Sequence, residues 1–347
     1  MKLPKFLILI SLLTITLSCG DKIEEKSTLF AIEIENSKRT YTPNDLLSVR
    51  IKREENIPVD SVVYYLNGNH VTMVDDKISL KDEKLGNKEL TAKIYTAKKT
   101  HEATVSILIL SDVRPVLYTY EILETYPHDS NAYTQGLEFH GDTLYESTGQ
   151  YGMSSLRKTN YKTGEVLKKV ELEDHFFGEG ITILNNKIYQ LTWMSKTGLI
   201  YNLQTLEQTG TFLYNESKEG WGLCNDGKNI YKSDGTEKIW TLNPNTLAEK
   251  EFIEIYTNTS KIRSVNELEW VDGKIFANIY QQESVAIINP ENGAVEGVID
   301  FTTLRNQVTQ HPSLDVLNGI AYKGEKDILY ITGKNWDKLF KVRILKK

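Results

Sequence analysis

Between about Leu29 and Leu110, apolar and polar residues alternate with a period of two, as in Leu46-Leu47-Ser48-Val49-Arg50-Ile51, Ser61-Val62-Val63-Tyr64-Tyr65-Leu66 and Thr104-Val105-Ser106-Ile107-Leu108-Ile109. Residues two apart share one face of a strand, so such runs predict half-buried strands. Turn formers such as Asn67-Gly68 separate them, which points to antiparallel hairpins. A segment of this size and pattern predicts an immunoglobulin-like β-sandwich over residues 29–112. It contains no catalytic spacing, so a spacer or docking role is expected. Ser111-Asp112-Val113-Arg114-Pro115 is the expected boundary.

The pattern then becomes a repeat over residues 113–347. Five segments open T-Q-G-L-E-F-H-G-D-T-L-Y, G-E-G-I-T-I-L-N-N-K-I-Y, G-W-G-L-C-N-D-G-K-N-I-Y, V-N-E-L-E-W-V-D-G-K-I-F and L-N-G-I-A-Y-K-G-E-K-D-I-L-Y. Each reads strand, tight turn, strand. Their turns carry Gly141-Asp142, Asn185-Asn186, Asp226-Gly227, Asp272-Gly273 and Gly324-Glu325, residue types that tolerate positive φ. The aromatics after the turns are Tyr145, Tyr189, Tyr231, Phe276 and Tyr330, a spacing that matches one four-stranded blade per repeat. An all-β fold is therefore expected, a five-bladed β-propeller preceded by the sandwich. The fifth repeat reaches only a third strand, Leu339 to Leu345, and the unpartnered segment Val116 to Tyr126 is its expected fourth. Such closure removes two exposed sheet edges.

In a propeller the first strand of each blade lines the central channel. At equivalent positions there stand Gln135, Glu179, Trp221, Asn266 and Asn318, a polar or indole side chain in every repeat. A packed plug would favour small or apolar residues, so this ring predicts a pocket. A second ring follows at Gly149, Trp193, Gly235, Tyr280 and Lys334. Aromatic faces, an ammonium and amides would then converge near one carboxylate. Trp240 and Trp270 are read as blade packing.

Composition removes several function classes. The chain has 347 residues and a net charge of -6, so the basic footprint needed for nucleic acid is missing. Its six histidines show no H-x-E, HExxH or Cys/His spacing, and no zinc site or other cofactor is expected. Asp174, Asp234 and Asp315 remain either solvated acids or holders of a structural calcium ion. At the N-terminus, Met1-Lys2-Leu3-Pro4-Lys5 is followed by an apolar run from Phe6 to Leu17 and by Ser18-Cys19-Gly20, the pattern of a lipoprotein signal over residues 1–19. Cys19 is the expected lipidation site and residues 20–28 a charged tether. The expected protein is exported and held at the membrane only by its lipid. Only Cys224 then remains, so no intrachain disulfide is expected, and a monomer stabilised by burial is.

Nine motifs, Y-T-Q-G-L, E-S-T-G-x-Y-G-x-S-S-L-R, F-G-E-G-I-T, Q-L-T-W, G-W-G-L, S-D-G, N-E-L-E-W, L-N-G-I-A-Y and T-G-K-x-W, occur in that order across about residues 117 to 345. They resemble the successive signatures of the plant and bacterial glutaminyl cyclases. The resemblance implies cyclisation of the N-terminal glutamine of peptides or proteins to pyroglutamate, with release of ammonia. It implies Glu179 as the acid/base, Gln135, Trp193, Trp221, Asn266 and Lys334 as pocket residues, and Phe177 as a wall aromatic. Tyr133 stands where phenylalanine is common and Tyr280 where tryptophan is usual, so each adds a hydroxyl to the expected pocket.

The chemistry suits these residues. The α-amine attacks the side-chain amide carbon of its own residue, so the enzyme must chiefly hold a bent conformer and move protons. A carboxylate enclosed by aromatics would have its pKa raised by desolvation. Lys334 and the amides of Gln135 and Asn266 are the expected donors to the developing oxyanion. Two other classes stand beside this one: a metal-dependent lactonase-like hydrolase, which needs more axial acids, and a propeller that binds without catalysis.

Overall fold

The computed structural model describes residues 29–35, 38, 40–54 and 57–347. The signal segment, Cys19 and the tether lie outside the described residues. Among the described residues the secondary structure is β apart from one short 3-10 turn, Leu304–Gln307, and no helix is long and apolar enough to cross a bilayer.

The N-terminal module consists of two sheets. One orders Phe30–Ile34, Leu46–Arg53 and Lys77–Ser79; the other orders Thr40–Tyr41, Thr100–Ile109, Gly86–Tyr95, Ser61–Leu66 and Asn69–Val71. The alternation seen in the sequence is the burial pattern of its strands, as in Gly86–Tyr95, where alternate residues are buried. Its core also takes in Tyr256 and Ala294 from the following region. Leu85 N–H donates to the Asn292 carbonyl at 3.1 Å, and Lys84 pairs with Glu251 at 2.8 Å.

The remaining strands form five antiparallel four-stranded units. The first is Thr134–His140, Thr143–Thr148, Ser155–Asn160 and Glu165–Glu171; the second Gly178–Leu184, Lys187–Thr192, Thr197–Asn202 and Gln208–Leu213. The third is Leu223–Asn225, Ile230–Ser233, Lys238–Leu242 and Glu249–Glu254; the fourth Val265–Val271, Lys274–Ile279, Ser284–Ile288 and Val295–Asp300. The fifth holds Leu317–Ala321, Ile328–Gly333 and Lys338–Lys346, completed by Val116–Pro127 as its outer strand. That strand does more than the sequence suggested, because Val116–Tyr118 also pairs in parallel with Gly297–Ile299 of the fourth unit.

Turn chemistry explains the hairpins. Asn185 and Asn186 have φ of 51° and 60°, and Asp272 and Gly273 have 47° and 85°, the double positive φ that a two-residue hairpin matching strand twist requires. Five hydrophobic clusters each join two adjacent units, the last linking Leu137 and Leu144 of the first to Tyr330 and Leu339 of the fifth. The first strands succeed one another around an axis and close on themselves: Gly180 N–H donates to the Trp221 carbonyl at 2.6 Å, and Asn318 Nδ2 to the Thr134 carbonyl at 2.9 Å.

Candidate active site

A cavity of ≈ 260 Å³ opens at one end of this axis, lined by Tyr133, Gln135, Gln150, Phe177, Glu179, Trp193, Trp221, Asn266, Tyr280 and Lys334. Its first-strand residues are aimed by a shared irregularity. The pairing of first and second strands shifts register between Thr134 and Gly136, Gly178 and Ile181, Val265 and Leu268, and Leu317 and Ile320. Gln135, Glu179, Asn266 and Asn318 sit in these four bulges. A bulge breaks the strict alternation and re-aims a side chain, which is why bulges recur beside functional sites.

Glu179 is 4 % exposed and accepts a hydrogen bond from Gln135 Nε2 at 3.2 Å. Burial pushes its carboxyl well above the usual carboxylate range, against the pull of the Lys334 charge and with the Glu219 charge assisting. Lys334, 3 % exposed, is shifted downward by the same loss of solvent, while Glu179 and Asp315 act in the opposite direction. Its ammonium lies over the rings of Tyr133 and Tyr280, 4.8 and 5.2 Å from their centroids. The pair thus forms an enclosed acid and base whose charged forms are both disfavoured by burial.

The walls are aromatic. Phe177 packs on Trp193 at 5.7 Å and meets Tyr133 at 6.2 Å, and Trp221 stands edge-on to Tyr280 at 5.5 Å. Gly149 and Gly235 of the second expected ring contribute space: a Cβ on Gly149 would run into the Phe177 ring and one on Gly235 into the Trp221 indole. The hydroxyl that Tyr133 adds donates to Asp315 Oδ2 at 2.9 Å.

Every expected site residue in the described part of the chain except Asn318 lines the cavity. Asn318 is fully buried beneath it, where its Nδ2 also donates to Gln135 Oε1 at 3.2 Å, so it orients Gln135 instead of meeting a ligand. Gln135 in turn gives one of its two amide N–H groups to Glu179, which aims the carboxylate, and keeps the other as a donor. Asn266 Oδ1 is buried with no hydrogen-bond partner among the described residues. Two site residues escaped the sequence reading, Gln150 on the cavity wall and Glu219, which accepts the indole N–H groups of Trp193 and Trp221; Asp315, read as a solvated or calcium-holding acid, instead accepts the Tyr133 hydroxyl. Glu219 lies two residues before Trp221, and that proximity was its only signal.

Trp240 and Trp270 are packing residues as expected; the first donates to Asp234 at 2.8 Å and the second stacks on Tyr231 at 5.6 Å. Asp234 also accepts from Thr236. Among the described residues, no group of three or more His, Cys, Asp or Glu is placed to hold a metal ion.

Residues 90–344 match the family model described as glutamine cyclotransferase, a match that reaches back into the Gly86–Tyr95 strand of the N-terminal module. The chain is 38% identical over 227 residues to a glutaminyl-peptide cyclotransferase of Arabidopsis thaliana, covering 65% of this chain and 71% of that one. It is also similar to the crystal structure of Myxococcus xanthus glutaminyl cyclase, with 32% identity, a TM-score of 0.63, and coverage of 67% of this chain and 100% of the other.

Proposed function

The chain belongs to the glutamine cyclotransferase family, and on that premise we propose that it is a glutaminyl-peptide cyclotransferase acting on peptides or proteins with an N-terminal glutamine. The observation that carries the reading is Glu179, one buried carboxyl facing a buried ammonium inside an aromatic-walled cavity. The neutral α-amine attacks the side-chain amide carbon and forms the ring C–N bond. Glu179 takes the proton that the amine sheds and delivers it to the departing nitrogen, so the C–N bond of the amide breaks and ammonia leaves. A carboxyl with a raised pKa suits both transfers. Lys334 is the donor to the amide oxygen as it gains charge, and Gln135 keeps the carboxylate aimed. The indoles of Trp193 and Trp221 exclude water and press the substrate into its bent form.

The same reading makes the ring a five-bladed β-propeller and the N-terminal module an immunoglobulin-like sandwich that serves as a spacer. It makes the reaction metal-independent, since among the described residues Glu179 is the sole carboxylate on the cavity wall and a metal-dependent hydrolase would need several. Export and anchoring through Cys19 rest on the Phe6 to Leu17 apolar run and the cysteine behind it.

Ammonia release from a glutamine-initiated dipeptide tests the proposal. Glu179→Gln should lower the rate by about 10²-fold or more while peptide binding persists, and dialysis against a strong chelator should leave the wild-type rate unchanged. Retention of more than about a tenth of the rate by the variant would remove Glu179 from the role.

A further inference from the structure

An indole carries a single hydrogen-bond donor and no acceptor. In this cavity both indole donors are committed to the same atom: Trp193 Nε1 donates to Glu219 Oε2 at 2.6 Å, and Trp221 Nε1 donates to that oxygen at 2.8 Å. The two tryptophans come from different parts of the ring, one after the second strand of the second unit and the other before the first strand of the third. One carboxylate oxygen therefore ties together two walls that strand pairing does not connect.

The loop bearing Glu219 is fixed from below. Lys232 and Glu249 form an ion pair at 3.0 Å with both side chains fully enclosed. Lys232 Nζ also donates to the Glu219 carbonyl at 2.9 Å and to Ser217 Oγ at 2.6 Å. Glu249 Oε2 accepts the backbone N–H groups of Glu216 and Ser217 at 2.9 and 3.0 Å. On the other side, Gly220 N–H donates to the Trp193 carbonyl at 2.9 Å. A surface acid would be held by none of this. Such a chain of contacts, from a buried ion pair through a loop to a charged acceptor, is what holds a ligand-facing side chain in one rotamer.

We propose that Glu219 is the positioning residue of the two-indole wall: it sets both rings at once and, by occupying both N–H groups, leaves the wall to present only aromatic faces to the substrate. The proposal rests on the cyclotransferase reading for its effect on turnover, but its geometric part does not. It assigns specificity on this side of the cavity to shape and π-surface, with polar recognition left to Gln135, Asn266 and Lys334.

The test uses the full chain and four variants. In ¹H–¹⁵N spectra, with Trp193→Phe and Trp221→Phe identifying the indole resonances, Glu219→Ala should move both indole N–H signals of the wall together. The same variant should lose about tenfold to a hundredfold in kcat/KM on a glutamine-initiated dipeptide, mainly through KM, the range for removing a hydrogen-bond acceptor that carries charge. Glu219→Gln keeps an acceptor oxygen and should stay within about tenfold of wild type; it also carries the test if the alanine variant fails to fold. Indole signals that stay put, or only one that moves, would overturn the shared clamp. Both signals moving with kcat/KM unchanged would overturn the positioning role. If wild-type protein does not release ammonia from the dipeptide, the cyclotransferase reading falls while the paired indole signals still decide the clamp.

Discussion

Replacing Gly235 by alanine separates two physical costs that meet at the cavity wall. Gly235 has φ of +76°, and a Cβ there would lie 2.5 to 2.9 Å from Cε2, Cζ2 and Cδ2 of Trp221. A left-handed backbone costs an L-residue about 1–2 kcal/mol. Overpacking a filled site costs about 1–3 kcal/mol more. If Trp221 stays pinned by Glu219 and Tyr280, Gly235→Ala should lose the sum, about 2–5 kcal/mol. Two other glycines isolate the parts. Gly273 has φ of +85° with nothing within 4 Å of its Cβ position, so its alanine variant should show the backbone cost alone. Gly149 lies outside the left-handed region and its Cβ would meet the Phe177 ring first, so its variant should show the steric cost alone. Urea unfolding midpoints at 25 °C rank the three variants, and KM for a glutamine-initiated dipeptide reports whether the indole moved. Should Trp221 yield, the stability loss shrinks toward that of Gly273→Ala and KM rises. A Gly235→Ala protein no less stable than Gly273→Ala, with KM unchanged, would show that the glycine does not seat the indole.

Asn318→Ala removes the group that fixes the Gln135 amide, so kcat should fall about tenfold with KM little changed, one hydrogen bond's worth of orientation; steady-state kinetics with equal losses in the two parameters would speak against it. Stability should fall as pH rises from about 5 through 8. Burial raises the carboxyls of Glu267 and Glu269 well above 4.5 and that of Glu138 to about 8. The native state thus holds protons that the unfolded chain releases, and the stabilisation is complete below the unfolded value and lost as pH passes the folded one. Glu138→Gln, which mimics the protonated carboxyl, should flatten that slope in urea melts at several pH values, and an unaltered slope would exclude Glu138 as a contributor. Deleting residues 29–110 should leave cyclisation intact, because every cavity residue lies downstream, whereas extending the deletion through residue 126 should abolish the cooperative melt by circular dichroism; equal stability of the two truncations would deny the closing role of Val116–Pro127.

The repeat was legible because hairpin turns and hydrophobic alternation recur in register, and from it the residues facing the axis followed. Gln135, Glu179, Trp221 and Asn266 met around one cavity for that reason. Asn318 obeyed the same register yet lies beneath, and spacing alone does not say whether a bulge lifts a side chain into the cavity or tucks it behind a neighbour. Gly149 and Gly235 were read as members of a ring when their part is to leave space, a property of the aromatic packed against each glycine. Glu219 was missed, and Asp315 was read only as a solvated or calcium-holding acid, for a common reason. They act through Trp193, Trp221 and Tyr133 from loops outside the repeated strand pattern, and hydrogen bonds between side chains from distant segments leave no periodic trace.

The outer strand Val116–Pro127 also sets a clock on biosynthesis. Glu121 and its ion-pair partner Arg343 are 222 positions apart, so at roughly 5–20 residues per second the ribosome leaves the strand without its antiparallel partner for about 10 to 45 seconds. During that interval the parallel partner Gly297–Ile299 emerges first and can retain the strand beside the fourth unit. Glu121 and Glu124 lie on the waiting strand, and charges of this kind discourage pairing with a foreign edge. Lys334 and Asn318 arrive in the same late stretch as the antiparallel partner, Lys338–Lys346. The nascent polypeptide therefore acquires its ammonium donor and the support for Gln135 at nearly the moment the circle shuts, and the cavity is complete only once Lys338–Lys346 has emerged.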